Sequence, residues 1–210
     1  MVEVEAVKRD HRVIVDMIEE GSSVLDLGCG DGDLLYSLVK IKKIKAEGIE
    51  LGEGAIYKCV EKGLSVYHRD IENGLKDYPD GSVDYVILNQ IIQEIRDMEY
   101  LLKETLRVGK KVIIGFPNFA YIKARFDLFI RGMAPVTSSL PYQWYNSPNI
   151  HFGSLKDFRK FCVKKGMRII RSHYLGEKKP AKLFPNIFAT NGIFLVEKDT
   201  REHKGNNTRQ

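Results

Sequence analysis

Residues 24–35 read VLDLGCGDGDLL: an apolar run, glycines at positions 28, 30 and 32, then two leucines. An apolar strand that enters a glycine turn and leaves it as a helix puts unpaired backbone N–H groups and the positive end of a helix dipole at the carboxyl edge of a sheet. In open α/β sheets that edge is where nucleotide-like ligands bind. No GK[ST] follows, so the turn is not a Walker loop, and a dinucleotide fingerprint would need its third glycine where Asp33 stands. Asp26, Asp31 and Asp33 would also repel a pyrophosphate.

Outward from this turn, strand and helix signals alternate, which points to a layered α/β sheet. A helix is expected near residues 4–20, then the strand "SVLDLG" and a helix marked by Leu34, Leu35, Leu38 and Val39. "KAEGIE" reads as the second strand, and Ala55, Ile56, Cys59 and Val60 as a helix closed by Gly63. "LSVYHRDI" and "SVDYVILNQ" are the third and fourth strands, the latter apolar enough to be covered on both faces. Leu101, Leu102 and Leu106 mark a helix that Gly109 stops, and "KKVIIGFPN" is the fifth strand. In "GSLKDFRKFCVKKG", Ser154 and Asp157 make a capping-box pattern, and "MRIIRSHYL" and "NGIFLVEK" are the last two strands. The polar stretch from about Asp199 is expected to be disordered, so the reading is one domain over 1–198 and a tail over 199–210.

The acids at the strand ends select the ligand. S-adenosylmethionine (SAM) carries a sulfonium and an amino group instead of phosphates, and its carboxylate and ribose need close backbone approach, so the acids beside the turn become an asset. Glu50, 24 residues after Asp26, ends the second strand and suits a carboxylate accepting both ribose hydroxyls. Asp70, at the end of the third strand, is placed to accept from the adenine amino group, with Ile71 against the ring. Each acid alone is more simply a helix cap or a solvated group; the combination at three consecutive strand ends is what points to SAM.

"VLDLGCGDGDLL", "GIEL", "HRDIENGL" and "SVDYVILNQ" resemble the cofactor motifs of class I SAM-dependent methyltransferases. "GDGDLLYSLV", "LKETLRVGKKVIIGFPNF", "LPYQWYNSPNIHF" and "SLKDF" more narrowly resemble the methionine biosynthesis protein MetW family over roughly residues 18–197. The resemblance implies a Rossmann-like sheet of seven strands with helices on both faces and the last strand antiparallel. It implies a site for SAM or S-adenosylhomocysteine built from Asp26, Gly28, Gly30, Glu50, Leu51, Asp70 and Ile71, with Asn89 and Gln90 bordering the methionine part. It also implies a role in methionine synthesis in association with homoserine O-acetyltransferase; an active methyltransferase on a small molecule, or less so on RNA, is the alternative. An NPPY-like run after the fourth strand is missing, since "NQIIQEI" stands there, which argues against N-methylation of bases or glutamine.

Residues 117–152 break the alternation: they hold four of the seven prolines and eight of the 21 Phe, Tyr and Trp residues. A connection this long is usually functional. Asn118, Tyr142, Trp144, Tyr145 and His151 are its candidates for contact with a substrate or partner, although a loop histidine with no carboxylate partner is more often structural. Aromatics in a proline-stiffened loop match interface anchors as well as a substrate lid. Phe119, Ile122, Phe126, Phe129 and Ile130 recur at helical spacing and are expected to pack a core.

The remaining composition excludes more than it selects. The net charge of +5 comes from scattered lysines and arginines, which reads as a solvated basic surface, with nucleic acid an improbable partner. Cys29, Cys59 and Cys162 have no CxxC pairing and are read as reduced thiols, with no metal site expected. No apolar run approaches the roughly 20 residues that span a bilayer, and the first 20 residues lack a signal-peptide pattern, so no membrane association and a cytoplasmic location are expected.

Overall fold

The computed structural model describes residues 8–200. The start of the helix expected over 4–20, and all of the expected tail but Asp199 and Thr200, lie outside the described residues.

Seven strands form one sheet in the order β3-β2-β1-β4-β5-β7-β6. β1 (Ser23–Leu27) lies between β2 (Lys45–Glu50) and β4 (Val83–Asn89), with β3 (Ser65–His68) beyond β2 and β5 (Gly109–Pro117) beyond β4, all parallel. β7 (Asn191–Lys198) runs antiparallel to both β5 and β6 (Met167–Leu175). The order reverses direction between β1 and β4, so the crevice at their carboxyl ends is the topological switch point.

Period-two alternation distributes the apolar strands over two faces. Leu25, Val86, Leu88, Val112 and Ile114 join a cluster with α4 (Met98–Val108) and α6 (Leu155–Lys164). Their sequence neighbours Val24, Tyr85, Ile87 and Ile113 pack on the other face with α1 (Arg9–Met17) and α2 (Asp33–Lys42). Ser154 and Asp157 make a reciprocal capping box on α6, as the sequence suggests, and the structure adds an N-cap at α4, where Asp97 accepts from Tyr100 N.

Two expectations fail. The apolar spacing over 119–130 does form a helix, α5 (Ile122–Phe129), but it buries Ala124 and Asp127 while Phe126, Phe129 and Ile130 face outward, Phe129 88% exposed. A 3.6-residue period reveals that one face is apolar; it does not say that anything of this chain covers it. The glycine turn also leaves few unpaired amides. Gly28 N and Cys29 N donate to Ile49 O, Gly30 N to Glu50 Oε2, and Gly32 N to Cys29 O.

The turn needs glycine for backbone reasons that differ along it. Gly30 and Gly32 both have positive φ (+54° and +74°); a Cβ at Gly30 would meet nothing within 4 Å, whereas one at Gly32 would lie 2.6 Å from Leu64 Cδ1 and 2.7 Å from Cys59 Sγ. Gly30→Ala should therefore lose only the left-handed penalty, about 1–2 kcal/mol. Gly32→Ala should lose about 2–5 kcal/mol, the same penalty with overpacking added. Urea unfolding of the two variants checks this, and equal losses would show that contact beneath Gly32 contributes nothing.

Candidate functional site

A cavity of about 570 Å³ opens at the carboxyl ends of β1 and β4. Asp26, Gly28, Gly30, Asn89 and Gln90 line it, so five of the nine positions read from the sequence as cofactor contacts meet there. Glu50, Leu51, Asp70 and Ile71 lie outside its lining, toward the β2 and β3 edge that continues from Gly30. Glu50 is the junction: Oε2 accepts from Gly30 N, and Oε1 accepts from Leu51 N and Gly52 N, each at 2.8 Å. Leu51 is exposed, Ile71 packs partly on the core, and Asp70 Oδ1 accepts from Glu72 N at 3.0 Å.

The acids around the cavity are not equivalent. Asp31 is paired with Lys58 at 2.9 Å and Asp33 with Lys62 at 2.5 Å, both lysines coming from the end of α3 (Glu53–Glu61) and the residue after it. Asp26 is only 3% exposed, and among the described residues no donor or cation pairs with its carboxylate. Burial, with the Glu50 charge adding to it, pushes its pKa up to about 8.

Nearby amides are equally unsatisfied. Asn89 Nδ2 donates to Asp10 Oδ2 at 2.9 Å, which fixes the amide and leaves buried Oδ1 with no partner. Gln90 Nε2 is also buried without a partner, and its residue sits at a φ of +60°. An unpartnered donor, an unpartnered acceptor and a lone buried carboxyl at one crevice suit a ligand that brings both a cation and an anion. Among the described residues no cluster of three or more His, Cys, Asp or Glu is arranged to hold a metal. The Cys29 thiol, pushed far up by burial, is no nucleophile.

The cover of the cavity was not legible in the sequence. Lys8, Arg9, Asp10 and His11 line the cavity from α1 and the residue before it. Arg9 Nη1 donates to Gly176 O and Glu177 O, so the Asp10–Asn89 bond and this clamp fasten the helix at both sides. His11 is buried beside it, its pKa lowered by that burial. Pattern reading missed these residues because an amphipathic helix looks alike whether it covers a core or a ligand.

The long segment splits. Tyr142 lines the cavity, with Ser139 and Asn149, which the sequence reading did not single out. Trp144 and Tyr145 stand on the surface, stacked edge to face with centroids 5.7 Å apart. Asn118 is corrected to a structural role: it is 1% exposed, its Nδ2 donates to Asn186 O and Ala189 O, and its Oδ1 accepts from Ala120 N and Leu155 N. His151 lies away from this cavity, with Nε2 2.8 Å from Ile95 O.

The profile of the family described as "Methionine biosynthesis protein MetW" matches residues 8–196. The chain belongs to the MetW family. It is 35% identical over 205 residues to the "Bifunctional methionine biosynthesis protein MetXA/MetW" of Rhodopirellula baltica, an alignment that takes in 91% of this chain and 33% of that one, so the chain spans about a third of the relative's length. Its fold is that of class I methyltransferases. A SAM-dependent methyltransferase from Archaeoglobus fulgidus superimposes with a TM-score of 0.69 at 20% identity over 92% of this chain and 94% of the other. A possible histamine N-methyltransferase from Thermotoga maritima does so at 0.64 and 20% identity, over 90% and 87%. No helix among the described residues is long and apolar enough to cross a membrane.

Asp26 supplies a stability test that needs no ligand. Its folded pKa of about 8 lies above the ordinary aspartate value of 3.8, so between those limits the native state holds a proton that the unfolded chain releases. Its contribution to stability therefore falls as pH rises through that window and levels off above it. Asp26→Asn should gain on the wild type progressively from pH 5 to pH 8 in urea unfolding. A constant difference across that range would show that the carboxyl does not titrate there.

Proposed function

We propose that this protein binds SAM at the β1–β4 crevice and docks homoserine O-acetyltransferase through residues 117–152, the SAM site reporting methionine-cycle status to the complex. The observation that carries the first half is Asp26, a buried carboxyl with no partner among the described residues, beside the orphaned Asn89 Oδ1. A positively charged, phosphate-free cofactor repays that arrangement: its cationic groups would go to Asp26 and Asn89, and its carboxylate to Gln90 Nε2. Glu50, Leu51, Asp70 and Ile71 would hold the adenosine on the open side of Gly30, with Glu50 also holding the turn in shape. When bound, SAM supplies an electrophilic methyl group; what this chain supplies is position, a dry wall and charge balance.

For the partner, the support is the R. baltica name, which couples MetXA and MetW in one chain, together with the outward-facing Phe129, Ile130, Trp144 and Tyr145. Aromatic and aliphatic side chains this exposed are the composition of interface anchors. Methyl transfer to a small molecule is the second reading, favoured by the extension of the cavity past Gln90 to Ser139, Tyr142 and Asn149.

Three outcomes are expected. SAM affinity measured by calorimetry should rise with pH up to about 8, by up to about tenfold per pH unit, because a cationic ligand prefers Asp26 ionised; Asp26→Asn should flatten that dependence. Glu50→Ala should weaken SAM by about 1–3 kcal/mol, and unchanged affinity would remove the second strand from the site. Trp144→Ala should weaken the acyltransferase complex about thirtyfold, a hot-spot loss of about 2 kcal/mol, with SAM affinity unchanged. Copurification followed by homoserine acylation with and without SAM decides between the readings: no complex, and labelled methyl passed to an acceptor in extract, would establish the methyltransferase.

A further inference from the structure

A second cavity, of about 360 Å³, opens on the α4 and α6 side of the sheet, within the size range of small-molecule sites. Its wall is made by Phe116, Phe119, Phe152, Phe158 and Phe161, with Leu140 at one side. The rings are set in tilted pairs, Phe116 with Phe158 and Phe119 with Phe152, each with centroids 5.0 Å apart.

Two of the three polar side chains at this wall already have hydrogen-bond partners. The Asp157 carboxylate is engaged by Ser154 in the capping box, and His151 Nε2 meets Ile95 O. That leaves Gln93, which lines both this cavity and the first. Its Nε2 donates to Gln90 O at 2.8 Å, which sets the amide orientation. Its carbonyl oxygen, Oε1, is buried and has no partner among the described residues. A buried acceptor left unmade costs about 1–3 kcal/mol, and an apolar side chain here would avoid that cost.

We propose that this cavity binds a neutral aromatic small molecule carrying one hydroxyl or N–H donor, which gives its hydrogen bond to Gln93 Oε1. The ring faces supply stacking and apolar burial. No lysine or arginine lines the wall to hold an anionic ligand, and its one carboxylate, Asp157, is held by Ser154. Occupancy is transmitted to the first cavity through the same side chain, because Gln93 Nε2 holds the carbonyl of Gln90, a non-glycine residue kept at a φ of +60°. A donor bound at Oε1 polarises the amide and strengthens that hold. The transmission, though not the binding, rests on reading the first cavity as the SAM site.

Phenol and toluene are the probes, since they share ring and size and differ in the donor. Each is titrated into the full chain without SAM, with thermal shift and the Met98 methyl NMR signal as readouts, Met98 being part of the same wall. Phenol should saturate and bind at least about tenfold more tightly than toluene. Gln93→Leu should remove that preference while still binding toluene, and Leu140→Trp, which fills the cavity, should abolish both. Should either variant fail to melt cooperatively, Gly153→Leu replaces it, since a Cβ at this lining position meets nothing within 4 Å. Binding of neither probe, equal binding of both, or phenol binding retained in the filled variants would overturn the proposal. Self-association that phenol reverses would also overturn it, by giving the cavity to a second copy of the chain. The SAM titration is then repeated with saturating phenol. Altered SAM affinity supports the coupling; unchanged affinity with phenol bound removes the coupling alone, and absent SAM binding with phenol still bound removes only the cofactor reading.

Discussion

Glu50 ties the end of β2 to the glycine turn after β1, and the geometry of the crevice depends on it. One carboxylate oxygen takes Gly30 N and the other takes Leu51 N and Gly52 N, while Ile49 O just before it takes Gly28 N and Cys29 N. The turn is thus strapped to its neighbour by acceptors that consume the donors an anion would need. Phosphate loops of similar sequence leave those N–H groups free. Here the same backbone shape presents a close, flat approach and a negative charge, the opposite electrostatic character from a similar string of glycines.

Within that frame Asp26 is the costly residue. It sits in the central parallel part of the sheet between Leu25 and Leu27, both fully buried, and no partner offsets its desolvation. An apolar residue would make β1 more stable, so its retention is a trade of stability for electrostatics at the switch point. The lysines at Asp31 and Asp33 pair with the rim acids, so among the described residues no cation is left beside Asp26 to meet the charge it takes on as pH rises toward 8. α1 then closes the crevice with Asp10 on Asn89 and Arg9 on the loop after β6.

The strands were legible as short runs bounded by turn residues: "KAEGIE", "MRIIRSHYL" and "NGIFLVEK" coincide with β2, β6 and β7 residue for residue, and β4, apolar and buried along its middle, reads as a parallel strand covered on both faces. The capping box at Ser154 was equally plain, since it is a local hydrogen-bond pattern. What stayed hidden were facts of three-dimensional neighbourhood. Nothing in "KRDH" tells that it covers a cavity, and the short helix α7 (Pro185–Phe188) has too few residues for a period. Asn118 was legible as a polar residue at a strand end, but only the fold reveals that four backbone groups use both ends of its amide. Phe129 was legible as apolar and not as exposed, since helical periodicity is the same whether its stripe meets this chain or another.

The segment after α5 links these environments within a few residues. Thr137 and Leu140 bridge one another, and Ser139 Oγ donates to Asn191 Oδ1 at the start of β7, so the chain is anchored where it passes the crevice. Ser139 and Tyr142 line the first cavity, Leu140 between them lines the second, and Trp144 and Tyr145 reach the surface two residues on. Any change in how this stretch sits against one of the three is imposed on the others by chain connectivity, because a span so short has little slack. That connectivity alone does not make a regulator. A ligand shifts the equilibrium of a docked state only by the difference in its affinity for the two arrangements. The anchored Ser139 and the exposed Trp144 are the two ends over which such a difference would have to be expressed.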